Sequence, residues 1–287
     1  CMDLPMVSED QDQEVANSKF VSAYDVLPQI REEEMAVRGD GVYVRRLVEC
    51  ESSLQSLPQG EYDEAGTYII SGGLGGLGLV TARHLLVNHA GHVVLLTRSG
   101  CVASEAEAVW DDVCSYGADP VTVMRCDVTD EASVGAMLAE VRSKCPSIRG
   151  VLHAAGVVTV GFADKLHADD FTHVVAPCAG GGWNLHHGTI GDNIHSFVSY
   201  SSITALFGAA GQSNYGLANG WLDAFSEIRR DIGLAGVSLQ WGPWADVGLS
   251  VRGVAQVGDA GQEFIPVSTG TQCLSLAIQS SAVSGTT

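Results

Sequence analysis

Six short apolar runs, each bounded by Gly, Asp or Ser, constrain this chain most: TYIIS (67–71), HVVLLT (92–97), VTVMRC (121–126), GVLHA (150–154), IHSFVSYS (194–201) and GVSLQW (236–241). Between them lie segments of helical length, 76–89, 103–117, 130–144, 168–187 and 213–230. A strand apolar on both faces must be covered on both faces, and a helix after each strand carries the chain back so that the next runs parallel. The pattern predicts a doubly wound α/β fold, a parallel sheet with helices on both sides. No repeat at solenoid spacing competes with it.

Composition bounds the rest. A chain of 287 residues can bury a full core, and 46% apolar residues is ordinary for a globular protein. The formal charge of −19 argues against nucleic acid and against anionic membranes as partners. No apolar run is long enough for a membrane span, and the start does not resemble a signal peptide. Residues 1–64 hold fifteen acids and five bases, a net of −10, which reads as a solvated acidic arm. Within it GVYVRRLVEC (41–50) alternates enough to be a strand, and a polar connector follows. The first residue is Cys1 rather than Met, as expected of a piece of a longer polypeptide.

The eight cysteines are scattered, with no CxxC pair and no Cys/His cluster at metal spacing, so no metal is expected. Cys114 and Cys126 fall in apolar-looking segments, where a reduced thiol behaves as a small hydrophobe. The usage fits a reducing, intracellular (cytoplasmic) setting.

The first strand runs straight into GGLGGLG, residues Gly72, Gly73, Leu74, Gly75, Gly76, Leu77 and Gly78, and then into a helix. At a strand-to-helix junction such glycines let backbone N–H groups approach a pyrophosphate, and the helix N-terminus adds partial positive charge. This marks the sheet as a Rossmann-type dinucleotide fold; the plain alternative is a structural turn. The second strand ends in LLTRSG, beside the expected adenine ribose. An acid there would hold a ribose 2′-hydroxyl, whereas Arg98 followed by Ser99 suits a 2′-phosphate, hence NADPH over NADH. The plain reading of Arg98 is a solvated strand-end charge. The third strand ends in CDV, where Asp127, followed by Val128, can accept from the adenine amino group.

The fifth strand leads into SYSSITALFGAAGQSNYGLANGWLDAF. Ser202 and Tyr215 are thirteen residues apart, and Asn219 follows one helical turn later. A phenol that donates a proton to a carbonyl oxygen, and a serine hydroxyl that orients that oxygen, make a hydride-transfer site beside a dinucleotide.

These pieces resemble the ketoreductase domain of a modular or iterative polyketide synthase, within the short-chain dehydrogenase/reductase superfamily. SGGLGGLG (71–78), LLTRSG (95–100), CDVTD (126–130), VLHAAGV (151–157), SSITALFGAAGQSNYGLAN (201–219) and LQWGPW (239–244) carry the resemblance, in order and spacing. GVYVRRLVE (41–49) is similar to the closing strand of that family's truncated structural subdomain. The resemblance implies residues 65–287 as the catalytic domain and 1–64 as the tail of the structural subdomain. It implies NADPH-dependent reduction of a β-ketoacyl thioester carried on the phosphopantetheine of an acyl carrier protein, with neighbouring synthase domains as partners. Ser202 would hold the carbonyl, Tyr215 would donate the proton, and Asn219 would support the helix and water. His153, Ala154, Ala155 and Gly156 would line the nicotinamide ribose, and the GPW turn with Pro243 would cover the nicotinamide. A lid would span 249–265, and a final strand would be expected beyond a helix at about 268–280, past Thr287.

The family places its active-site lysine in V-x-x-P-K-x-x-G-x-x-x-L-H, twenty-four residues before the serine. Here that stretch is VVAPCAGGGWNLH, and the lysine position is Cys178. Pro177, Gly181, Leu185 and His186 fix the register. A lysine lowers the tyrosine pKa by its charge and joins the proton path, and a neutral thiol supplies no charge. Three readings stand: a buried filler in a domain that is impaired, or that scaffolds or epimerises instead of reducing; a working reductase sustained by the nicotinamide charge and Asn219; or a reactive thiol, disfavoured because no cation flanks it. Of the three lysines, Lys19, Lys144 and Lys165, only Lys165 stands as a distant substitute. The stereochemical fingerprints of the family, at Val158–Val160 and at Phe207, are both absent. Arg229, Arg230 and Arg252 are the candidates for meeting an acidic carrier protein, unless they are ordinary surface arginines. A reductase of a free small molecule is the remaining class.

Overall fold

The computed structural model describes residues 36–38, 41–43, 62–248 and 263–281. The chain divides into two units, 1–53 and 54–287. In the first, β1 (Ala36–Arg38) pairs antiparallel with β2 (Gly41–Tyr43), Val37 opposite Val42. The expected strand at 41–49 is thus seen over its first three residues; the remainder lies outside the described residues, and the partner β1 carried no readable signal. Three-residue strands are too short for an alternation to stand out.

Among its described residues the second unit holds six parallel strands: β3 (Thr67–Ser71), β4 (His92–Thr97), β5 (Val121–Arg125), β6 (Ile148–His153), β7 (Ser196–Ser202) and β8 (Val237–Trp241). Their order is β5-β4-β3-β6-β7-β8, the doubly wound arrangement expected. The direction of winding reverses between β3 and β6, which opens a crevice at their carboxyl ends.

Alternation along the central strands divides the core into two layers. Ile70, Leu95, Leu152 and Val198 face one side, against Leu79 and Leu85 of α1 (Gly76–Val87), Val113 of α2 (Glu107–Ser115) and Leu274 of α8 (Val267–Ser281). Ile69, Val94, Val151 and Phe197 face the other, against Met137, Leu138 and Val141 of α3 (Glu131–Lys144). Neighbouring residues thus serve opposite faces, the period of two that a pleated strand imposes. Edge strands β5 and β8 are only partly covered, which explains why their apolar runs are weaker.

The segment expected as one helix, 168–187, differs. It forms α4 (Ala168–Val175), a wide π turn (Ala176–Gly180) and α5 (Gly181–Thr189). The amide of Gly181 reaches back to the carbonyl of Ala176, five residues away. Pro177, which has no N–H to give the helical ladder, sits within the widened turn. Likewise 103–117 is a short 3₁₀ turn (Ser104–Ala106) leading into α2. A four-residue helix, α6 (Thr204–Phe207), precedes α7 (Ser213–Asp231). Only Glu263–Ile265 of the expected lid at 249–265 is described. There Ile265 bridges to Trp244, and Ile265 N–H donates to the Pro243 carbonyl at 2.8 Å. The helix expected at about 268–280 is α8.

Candidate active site

The glycine loop closes the carboxyl end of β3. Gly72 has φ +65°, and a Cβ there would stand 2.8 Å from the Ala154 carbonyl oxygen, so both conformation and space demand glycine. A Cβ on Gly78 would strike the Gly72 carbonyl, which is how the loop lets α1 sit down on it. Gly73 N–H donates to Leu96 O and Gly75 N–H to Gly72 O, each at 2.9 Å, and Leu74 is buried with its carbonyl held by Ala103 N–H. Gly76 lies against the Gly248 amide, with Leu77 beside Gly248. Gly75, the N-cap of α1, offers no side-chain acceptor, and the first turn carries no acid. Its N–H groups and the helix dipole therefore face the crevice uncompensated, which fits a pyrophosphate.

Arg98 and Ser99 are exposed at the end of β4. Asp127 Oδ1 accepts from Thr129 N–H and Oγ1–H, at 3.0 and 2.8 Å. Those bonds, backbone first, and the nearby charge of Arg98 hold its carboxyl below the ordinary range. Arg98 and Asp127 thus share one rim of the crevice. Val128 is buried against α5, where Gly181 leaves room for it, and its carbonyl accepts from Asn184. At the end of β6, Ala154 N–H and Ala155 N–H donate to Ser71 O and Ser71 Oγ, at 3.3 and 3.2 Å, and Gly156 is exposed. His153 turns inward instead of toward the crevice: it is 1% exposed, and burial lowers its pKa to about 4.

Ser202 ends β7, and Tyr215 lies in the first turn of α7. Ser202 Oγ accepts the Thr204 N–H at 3.2 Å, which leaves the serine proton to be donated elsewhere. Asn219 is 1% exposed. Its Nδ2 donates to the Tyr215 carbonyl at 2.8 Å, while its own carbonyl receives the Ser201 hydroxyl at 3.2 Å. The structure therefore brings Ser202, Tyr215 and Asn219 together. Burial raises the Tyr215 phenol to about 12; the Cys178 sulfur adds to this, while hydrogen bonds with Asn219 and Ser202 oppose it.

Cys178, on the π turn, is 3% exposed and packs with Val174, Ala218 and Leu222, with Tyr215 against the same cluster. Burial pushes its thiol up to about 12, against a hydrogen bond with the Val157 backbone. The lysine position thus lies beside the tyrosine, occupied by a neutral apolar group. Lys165 is not a substitute in this arrangement: its ammonium is largely in solvent and pairs with Asp164 at 3.4 Å. Burial also speaks against the reactive-thiol reading, since it favours the neutral thiol over the thiolate.

The KR domain profile matches residues 66–246 of this chain. The chain belongs to the KR-domain family. It is a polyketide synthase ketoreductase domain of the short-chain dehydrogenase/reductase superfamily, a family of oxidoreductases that use a nicotinamide cofactor. It is 38% identical over 188 residues to the spectinabilin polyketide synthase system protein NorB of Streptomyces orinoci, covering 65% of this chain and 9% of that protein. Over 235 residues it is 34% identical to erythronolide synthase EryA3 of Saccharopolyspora erythraea, covering 82% of this chain and 7% of that one. Among solved structures, an A-type ketoreductase from a modular polyketide synthase superposes with a TM-score of 0.79 at 28% identity, over 96% of this chain and 57% of that one. The matched stretch thus covers less than a tenth of either protein.

Two sequence expectations for the ketoreductase are corrected. Arg229 is no surface docking residue: it is 2% exposed, donates from Nε to Ala235 O at 2.7 Å, and lies over the Phe197 ring. Cys114 is exposed rather than packed, because the helix it sits on presents that side to solvent, whereas Cys126 is buried. Arg230 is exposed, with Nη1 on Gly236 O, and Arg252 lies outside the described residues. Among the described residues no group of three His, Cys, Asp or Glu could hold a metal, and no helix is long and apolar enough to cross a membrane. Sequence reading missed Thr204 and Ser71. Both act through small polar contacts that leave no periodic mark, although each lies inside a motif that was read.

Proposed function

We propose that this domain reduces a β-ketoacyl thioester, presented on the phosphopantetheine arm of an acyl carrier protein, to the β-hydroxyacyl thioester with NADPH. The observation that carries the reading is the convergence of Ser202, Tyr215 and Asn219 at the carboxyl end of β7, beside a glycine loop whose helix N-terminus is free of acids. Gly72–Gly78 would hold the pyrophosphate, Arg98 and Ser99 the 2′-phosphate, Asp127 the adenine edge, and Pro243 the nicotinamide side. When bound, NADPH supplies the hydride that the ketone carbon receives. Ser202 donates a hydrogen bond to the ketone oxygen, and Tyr215 delivers its phenolic proton to that oxygen. The tyrosinate then recovers a proton from solvent.

With the phenol at about 12, Tyr215 stays protonated at neutral pH and can still act as the acid. What is lost with the lysine is acid strength, so turnover is slow, with no change of mechanism. Purified domain with NADPH and a β-ketoacyl thioester should consume reduced nicotinamide and form the β-hydroxyacyl product. Absence of both at high enzyme concentration would overturn the proposal.

One observation favours a second reading, a domain that binds NADPH without turning over: with a thiol at 178, no cation among the described residues acts on Tyr215. Cofactor binding by wild type, with turnover appearing only in Cys178→Lys, would select it. The acyl carrier protein and the neighbouring synthase domains are proposed as partners, and residues 65–287 as the catalytic domain.

A further inference from the structure

The buried imidazole of His153 has no role in the chemistry above, yet it links the two halves of the crevice. Its Nε2 lies 2.8 Å from the carbonyl oxygen of Cys178, and its Nδ1 lies 2.7 Å from Ser71 Oγ. A carbonyl can only accept, so Nε2 carries the proton and Nδ1 accepts the Ser71 hydroxyl proton. Ser71 Oγ in turn accepts the Ala155 N–H at 3.2 Å. Ser71 Oγ and the His153 ring each donate once and accept once, between the Ala155 N–H at one end and the Cys178 carbonyl at the other, and Ser71 and His153 are 0% and 1% exposed.

The helix beside it is cut to fit this ring. A Cβ on Gly181 would stand 3.1 Å from His153 Cε1, and one on Gly182 would stand 3.3 Å from Cδ2. Two successive glycines at the start of α5 therefore let the π turn close over the imidazole. The carbonyl that His153 holds belongs to the residue whose side chain abuts Tyr215.

We infer that His153 is a positioning residue: through Ser71 and the Cys178 carbonyl it fixes the π turn to the end of β3, and so sets where side chain 178 stands relative to Tyr215. The role rests on the crevice being the reductase site, but its test does not require turnover. Cys178 and Cys126 are both buried, at 3% each, and lie in different clusters. Their labelling by a thiol reagent, mapped to peptides by mass spectrometry, reports local opening at each place separately.

In His153→Phe, which fills the space but donates nothing, Cys178 should label about tenfold faster or more, the scale of one buried hydrogen bond lost. Cys126 should label at the wild-type rate. His153→Gln, whose amide can still donate to the Cys178 carbonyl, should restore most of the protection. If His153→Phe does not fold, Ser71→Ala serves, since it keeps the ring and removes only its orienting hydroxyl; Cys178 should again label faster and Cys126 should not. Equal acceleration at both cysteines, no acceleration at Cys178, or failure of His153→Gln to protect would overturn the assignment. Loss of turnover in wild type would touch the reductase reading and leave this result standing.

Discussion

Tyr215 is a phenol whose acidity is set by what lies beside it. Burial and the neighbouring sulfur raise it to about 12, and two hydrogen bonds are too weak to bring it back. Replacing that phenol by Tyr215→Phe removes the proton source and should lower kcat by about 10²–10⁴, the usual worth of a positioned acid; a steady-state assay checks it. Ser202→Ala should cost about 10²–10³ by removing a donor aimed at the forming oxyanion, with cofactor affinity unchanged in a binding titration. Ser202, Tyr215 and Asn219 were legible in the sequence because their spacing, thirteen residues and then one helical turn, is enough to place a strand end opposite a helix start. The gap at Cys178 was legible too, since Pro177 and Gly181 fix the register around it. That His153 faces inward was not. A side chain at a strand end can turn either way, and its partner, the Cys178 carbonyl, is a backbone atom that no sequence pattern reports.

At the scale of elements, apolar runs located the six parallel strands among the described residues because both faces of the sheet are covered, whereas the layers that Ile69 and Ile70 serve came from the structure. The break in 168–187 was missed: a π turn keeps nearly helical spacing, and Pro177 is the sole mark of it. The antiparallel partner Ala36–Arg38 was missed because three residues carry no period. Gly270 illustrates a constraint of the same kind. A Cβ there would overlap the Trp244 ring, so Gly270→Ala should destabilise the domain by about 1–3 kcal/mol through overpacking, measured by denaturant unfolding. At the rim of the crevice, Arg98→Ala should weaken NADPH binding by about tenfold or more while leaving NADH unaffected, as loss of a charge-assisted bond to a 2′-phosphate requires. Equal weakening of both cofactors would remove Arg98 from that role.

The chain carries a net formal charge of −19, and the acidic carrier protein proposed as its partner would approach against that field. Arg230 remains exposed for the encounter, and Arg230→Glu should raise KM for carrier-bound substrate but not for a small thioester. The fold also responds to acid as a unit. His153 is held neutral by burial, its pKa falling to about 4 in the folded chain from an ordinary value near 6.5. The unfolded chain therefore binds the proton first, and stability is lost as pH falls from about 6.5 toward 4. Half-buried His84, lowered to about 4 by desolvation, acts in the same direction. Thermal unfolding should drop across that window, by roughly 3 kcal/mol at most from His153 alone.

The claim on which the account turns is that Tyr215 works as an acid with a thiol in place of a cation at position 178. Its direct measure is the pH dependence of kcat in wild type and in Cys178→Lys. A group whose pKa is raised keeps its proton further into alkali, so wild type should hold its reductive rate flat to about pH 10. Cys178→Lys should turn over about 10–100-fold faster at neutral pH and lose that gain at a limb shifted to lower pH, where the phenol now ionises. Superimposable profiles for the two proteins, or a wild-type limb already near neutrality, would contradict it.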